Sequence, residues 1–365
     1  MDRDADLDRA VQAIERESAV TVDTEFHSER RHHPELMLLQ VGTMTGEVWI
    51  FDPRAIDVSP AIRALSTRKV YLHAGQADLA LLKREADSYP MDVLDIQICA
   101  GMLGMRYPAR LGQIAHQLLG LQLDKEATLS DWARRPLSDA QLQYAASDVA
   151  TLVPLVGATL DELSKKGRSD WAQAASTAMA HQATRPSSTD HKWLDWDITH
   201  QLDPDTQAAL YTIFEWRNAR GKDKDQPDHF MLSDGLALDV ARRKPTSLAQ
   251  LQANRRVPNG LIKRYGEEII RAVSLADPME LAAIHIPTAR ERQVADALQL
   301  WASIYGSTID LAPELAMPRA VALKIAHQGS DALSGWRAQA FGDALALFLR
   351  GEARVALVDG TPTIV

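Results

Sequence analysis

Residues Val20-Thr21-Val22-Asp23-Thr24-Glu25-Phe26 form an apolar, β-branched run that carries two acids one residue apart, and this run constrains the fold more than any other stretch. Its composition favours a strand, and in a strand residues i and i+2 share one face. Asp23 and Glu25 therefore converge on one point beside a hydrophobic sheet. Two carboxylates held together there repel one another and are costly to bury unless a cation lies between them. A solvated strand end would carry the same two residues without consequence, so acids elsewhere in the chain must decide.

The surrounding pattern is α/β. Leu7, Val11 and Ile14 predict an amphipathic opening helix, and three strand-like runs follow over 19–26, 36–41 and 48–51, their short links implying an antiparallel meander. A strand over 69–73, a helix over 76–85 and an apolar segment over 91–98 continue into the alternation of a sheet with crossover helices. Further helices are predicted over 111–119 and 138–166, the second capped by Ser138. From 168 to 192 the composition shifts to Ala, Ser, Thr and Gln and ends in Thr184-Arg185-Pro186-Ser187-Ser188-Thr189-Asp190, which marks a linker or exposed connection.

The remainder is expected to be entirely helical, and it contains a repeat. Trp216-x4-Gly221 matches Trp301-x4-Gly306, and Leu238-x-Val240-Ala241 matches Leu323-x-Ile325-Ala326, each 22 residues after its tryptophan. Both copies then reach an aromatic-Gly-acid step, Tyr265-Gly266-Glu267 and Phe341-Gly342-Asp343. Two related helical modules are expected.

Tyr144 and Asp148 stand at i and i+4 on one face of the long predicted helix, and Asp78 opens the apolar stretch Leu79-Ala80-Leu81-Leu82. Asp23, Glu25, Asp78 and Asp148 thus come from three separated elements. Four carboxylates without a His or Cys cluster indicate a hard, oxygen-preferring ion, Mg²⁺ or Mn²⁺, rather than zinc. The single cysteine, Cys99, excludes an internal disulfide and fits a small buried hydrophobe between Ile98 and Ala100. A formal charge of −9 over 365 residues argues against coating nucleic acid by bulk electrostatics, though not against a local acidic metal site. No run approaches the roughly 18 apolar residues of a membrane span, and the acidic start lacks a hydrophobic targeting segment, so a cytoplasmic protein without membrane partners is expected.

The set Asp23-x-Glu25, His73-Ala74-Gly75-Gln76-Ala77-Asp78-Leu79 and Tyr144-x3-Asp148 closely resembles the three exonuclease motifs of the ribonuclease D family, in the tyrosine-bearing branch of the DEDD exonuclease superfamily. The flanking Leu39-Gln40-Val41, Leu94-Asp95-Ile96-Gln97, Leu123-Asp124-Lys125, Asp131-Trp132 and Arg135-Pro136-Leu137 are similar to that family too. The helical remainder is similar to tandem helicase-and-RNase-D C-terminal (HRDC) domains, through Trp216-Arg217 and Arg264-Tyr265-Gly266 in one copy and Gly335-Trp336-Arg337 with Phe341-Gly342 in the other. The resemblance implies a ribonuclease H-like exonuclease domain, a mixed sheet flanked by helices, followed by two all-α HRDC-like domains. The expected bounds are 1–170 for the exonuclease, 171–203 for a linker or connecting helix, 204–280 for the first HRDC domain and 288–355 for the second.

It also implies metal-dependent 3′-to-5′ hydrolysis of RNA with a free 3′ end, releasing 5′-mononucleotides, with tRNA precursors as the substrate class. Asp23 would bridge two divalent ions, Glu25 and Asp148 would complete the site of the attacking water, Asp78 would serve the second ion, and Tyr144 would orient the water. Phe26 is a candidate either to stack on a terminal base or to belong to the core. His73 is either a nucleic-acid contact or a structural hydrogen-bonding residue, and Asp95 is expected to cap a helix rather than bind metal. His27, His32 and His33 lie in the link after the first strand, near phosphate or merely solvated. Arg242, Arg243, Lys244, Arg255, Arg256, Lys263 and Arg264 form a cluster suited to a phosphate backbone or to a solvated face. A DNA 3′-to-5′ exonuclease and a catalytically silent nucleic-acid-binding scaffold are the competing readings, and a monomer is the default.

Overall fold

A computed structural model of the chain describes residues 4–27, 31–123, 131–185, 198–278 and 285–365. Contacts divide it into two units, one of Met1–Phe26, Leu36–Arg185 and Pro287–Val365, the other of His27–Glu35 and Pro186–Ile286.

The first unit begins with α1 (Asp4–Arg16), β1 (Ala19–His27), β2 (Glu35–Thr43) and β3 (Val48–Phe51). It continues through α2 (Ser59–Leu65), β4 (Lys69–Leu72), α3 (Gln76–Ala86), β5 (Val93–Asp95), α4 (Ile96–Met102), α5 (Leu111–Leu119), α6 (Asp139–Lys165) and α7 (Ser169–Ala183). The sheet order is β3-β2-β1-β4-β5, with β2–β3 antiparallel and β1–β4 and β4–β5 parallel. Alternation along β1 explains its place. Val20 and Val22 enter a core with Leu39, Val41, Val70, Ile14, Ile62 and Leu79, which leaves Thr21, Asp23 and Glu25 on the opposite face.

Against that face lies α6. The Thr21 hydroxyl donates to the Val149 carbonyl at 2.9 Å, and Gly42 makes the close approach possible, because a Cβ there would stand 2.4 Å from Thr21 Oγ1 and 3.3 Å from Val149 Cβ. The segment expected as one apolar run over 91–98 divides at Asp95, which ends β5 and caps α4 by accepting from the Gln97 N–H at 2.8 Å.

Two expectations are corrected. The Ala- and Ser-rich stretch after 168 belongs to the exonuclease unit rather than to a connection beginning at 171: α7 buries Ala172, Ser176 and Ala180 along one face. Small residues at i, i+4 and i+8 mark close packing of a helix, not looseness, and Ser176 Oγ accepts the Asp95 N–H at 3.0 Å. Residues 186–197 of the expected linker, and Asp124 and Lys125, lie outside the described residues. The C-terminal region is also not entirely helical. It closes with an antiparallel hairpin of β6 (Val355–Val358) and β7 (Thr361–Ile364), whose Asp359-Gly360 turn has φ 50° and 78°, the pair of positive angles that an Asp-Gly hairpin turn requires.

The second unit contains α8 (Pro204–Lys224), α9 (Asp228–Met231), α10 (Asp234–Arg243), α11 (Leu248–Ala253) and α12 (Asn259–Ser274), packed around Leu210, Ile213, Phe214, Val240 and Ile269. Residues 287–365 supply α13 (Ala289–Thr308), α14 (Pro313–Ala316), α15 (Arg319–Gln328) and α16 (Gly335–Arg350). These four do not build a separate core. Trp301, Leu315 and Phe341 share one with Met102, Ile114 and Leu155, and the Ala312 N–H donates to the Gly101 carbonyl at 2.8 Å.

The two copies of the motif share local geometry. Trp216 lies 5.7 Å from Tyr265 and Trp301 lies 5.4 Å from Phe341, ring centre to ring centre. The Gln226 N–H donates to the Gly221 carbonyl and the Leu311 N–H to the Gly306 carbonyl, each at 2.9 Å. At both glycines the returning backbone leaves no room for a side chain: a Cβ would stand 2.9 Å from the Gln226 carbonyl oxygen and 2.6 Å from that of Leu311. Among the described residues no helix is long and apolar enough to cross a membrane.

Candidate active site

The parallel register of β1 with β4 runs from Ala19 opposite Lys69 to Thr21 opposite Tyr71. Asp23 and Glu25 follow at the carboxyl end of the parallel strands, where α/β sheets place their ligand sites. Asp148 is brought to them by α6, whose start is set by a capping box: Gln141 N–H donates to Ser138 Oγ at 3.2 Å and Ser138 N–H to Gln141 Oε1 at 3.0 Å. One carboxylate oxygen each from Asp23, Glu25 and Asp148 lie within 4.8 Å of one another. Asp78, in the first turn of α3, is buried and accepts a short hydrogen bond from the Thr24 hydroxyl. Tyr144, one turn before Asp148, hydrogen-bonds its carboxylate and packs against Trp132, with ring centres 6.0 Å apart.

The electrostatics are those of unbalanced negative charge. Burial, followed by the charges of Asp78, Asp148 and Glu25, holds the Asp23 carboxyl well above its usual range. Burial and then Asp148 and Asp78 push Glu25 up to about 8. Burial raises Asp78 to about 6 against the opposing Thr24 hydrogen bond, and raises Asp148 to about 6 against that of Tyr144. No Lys or Arg pairs with any of the four among the described residues. Converging hard oxygen donors that lack a protein cation fit a divalent metal ion.

Asp95 is a buried acid of the other kind. Besides capping α4, it accepts the Ala74 and Gly75 N–H groups at 3.1 and 2.9 Å, holding the turn with left-handed Ala74 (φ 56°) that starts the helix of Asp78. The helix-capping expectation holds, and the carboxylate also ties the two helix starts together. His73 Nε2 meets the Ala109 carbonyl oxygen at 2.9 Å, and burial lowers its pKa, so its ring is held by structure. Phe26 is 36% exposed and therefore stands outside the core. Within the second unit His32 pairs with Asp228 at 3.0 Å and Arg31 with Asp225 at 2.7 Å.

The cationic cluster is partly neutralised by acids of its own module. Arg243 and Arg256 pair with Asp239 at 3.3 and 3.8 Å, and Lys244 pairs with Asp203 at 3.3 Å. Arg264 lies over the Tyr265 ring at 5.9 Å, while Arg242, Arg255 and Lys263 form no ion pair among the described residues. A groove of about 960 Å³ runs from Asp148 and Tyr144 past Ser147 and Gln143 to Arg134. Sequence reasoning missed Arg134 and Gln143, because nothing local distinguishes them. Arg134 is exposed and makes no ion pair among the described residues, whereas its neighbour Arg135 is fixed by Asp52 at 2.8 Å and the Met37 carbonyl at 3.0 Å.

The 3′-5′ exonuclease family matches residues 1–164 and the HRDC domain family matches 206–273. Ribonuclease D of Nitrobacter hamburgensis is 28% identical over 93% of this chain and 92% of its own length, and that of Serratia proteamaculans is 30% identical over 78% and 76%. The crystal structure of Escherichia coli RNase D superposes with a TM-score of 0.82 at 24% identity, covering 96% of this chain and 98% of that one. Relatedness of this extent makes the chain a member of the ribonuclease D family, a 3′-to-5′ exoribonuclease.

Proposed function

We propose that Asp23, Glu25, Asp78 and Asp148 hold two divalent cations, Mg²⁺ or Mn²⁺, and that the protein trims structured RNA from a free 3′ end, tRNA precursors above all, as a cytoplasmic monomer. The convergence of three carboxylates within 4.8 Å beside buried Asp78 carries the assignment. Bound cations would stabilise the negative charge that develops on the attacking and leaving oxygens of the phosphodiester. The chain's own residues do the rest. Asp148 fixes the Tyr144 hydroxyl through their hydrogen bond, and a hydroxyl so held orients the attacking water. The groove beside Tyr144 accepts the strand, Phe26 offers a ring for a terminal base, and Arg134 faces phosphate. The printed description of the E. coli relative, an exoribonuclease involved in structured RNA processing, supports the substrate class, and nothing favours DNA.

The test is digestion of a 5′-labelled, 3′-extended tRNA and a matched single-stranded DNA by wild-type and Asp23→Ala protein, with Mg²⁺ or EDTA. Stepwise shortening of the RNA that needs both metal and Asp23 is expected. Shortening of DNA alone, or binding without hydrolysis under any metal, would sink the proposal.

A further inference from the structure

Gln40 is fully buried on β2, and neither its amide oxygen nor its amide nitrogen has a hydrogen-bond partner among the described residues. Burying an amide without a partner is unfavourable, and an apolar side chain of the same size would avoid the cost. Stability therefore does not explain a glutamine at this position.

Its placement does. Leu39 and Val41 enter the core with Val20 and Val22, whereas Leu38 packs with Trp132 and Ala145 of α6, and Gly42 faces Thr21 and Val149. Gln40, between Leu38 and Gly42, shares their face, the one that carries Asp23 and Glu25 on β1. β1 and β2 are neighbours joined by a link too short for a parallel crossover, so they run antiparallel. The Thr21 hydroxyl contacts the Gly42 carbonyl at 3.3 Å. Two residues onward along β1 and two back along β2, Asp23 and Gln40 come side by side.

We propose that Gln40 is a positioning residue for the metal site, its side-chain N–H donating to the Asp23 carboxylate when that carboxylate binds a cation. An ionised carboxylate only accepts hydrogen bonds, and a donor on one oxygen fixes the direction in which the other faces the ion. The inference rests on the metal-site reading above.

The experiment is a titration of the full chain with Mn²⁺ alone, free Mn²⁺ being followed by electron paramagnetic resonance, together with thermal melts in EDTA. It compares wild type, Gln40→Met, Gln40→Leu and Asp23→Asn. Gln40→Met keeps the volume and removes the amide. Its Mn²⁺ affinity is expected to fall about 10- to 100-fold, while its metal-free Tm equals or exceeds that of wild type. Gln40→Leu gives the same split if the flexible methionine packs differently. Unchanged Mn²⁺ affinity in both variants, with or without a lower metal-free Tm, would assign Gln40 to packing and overturn the proposal. If Asp23→Asn also leaves Mn²⁺ binding unchanged, the metal-site reading fails and the Gln40 role fails with it.

Discussion

Two groups of acids sit at the carboxyl ends of the parallel strands, and they are partnered in different ways. Asp95 accepts backbone N–H groups from Ala74, Gly75 and Gln97, which oppose the burial that raises its pKa. Asp23, Glu25 and Asp148 turn their oxygens toward one another, and burial raises all three, with repulsion between the acids adding to it at Asp23 and Glu25. A buried acid that the backbone satisfies organises structure. A cluster left unsatisfied is poised for a ligand of opposite charge.

The comparison breaks if both groups respond alike to substitution. The largest effect is expected for Asp23→Ala, which should lower kcat on RNA by about a thousandfold or more, since it disrupts the metal-supported stabilisation of the reacting oxygens. Single-turnover hydrolysis measures it, and in melts Asp23→Asn should raise the metal-free Tm, because a repelling charge is removed. Asp95→Ala should do the reverse. Leaving its backbone donors unpaired should cost about 3 kcal/mol in urea unfolding; an unchanged midpoint would show that Asp95 does not organise the fold. Tyr144→Phe should lower kcat by about 10- to 100-fold with little change in KM or in urea stability, as expected of a hydroxyl that positions water. A raised KM with kcat intact would instead place Tyr144 in RNA binding.

The smallest effect sharpens the comparison through pH. The folded carboxyls of Glu25, at about 8, and of Asp78 and Asp148, at about 6, lie above their ordinary values of 4.5 and 3.8. The folded metal-free protein therefore keeps protons that the unfolded chain has released. Its relative stabilisation is present below about pH 4 and is lost as pH rises toward 8. Metal ions must displace those protons, so the Tm increase on adding Mn²⁺ should be slight at pH 5.5 and several degrees at pH 8. A metal-induced shift that is flat with pH would contradict the charge balance described here.

Much of the site was legible because its relations are local. A strand places i and i+2 together and a helix places i and i+4 together, so Asp23 with Glu25 and Tyr144 with Asp148 could be paired from spacing alone. The final hairpin was equally local, since Asp359-Gly360 carries a turn signature, and the expectation of an all-helical end passed over it. The stretch after 168 misled for a different reason. Alanine and serine occur both in exposed connections and in closely packed helix faces, and composition does not separate the two.

The sequence by itself determined which residues can ligate a hard cation, which strand and helix carry them, and where the repeated helical pattern begins, because each of these follows from backbone periodicity. Only the tertiary structure decided that the elements meet. Seating of α6 over Gly42 brings Asp148 to Asp23, Asp95 ties the turn before Asp78 to the start of α4, and the second copy of the repeat joins the exonuclease core while the first keeps its own. Those outcomes depend on burial and close contact summed over residues far apart in the chain, which no spacing encodes.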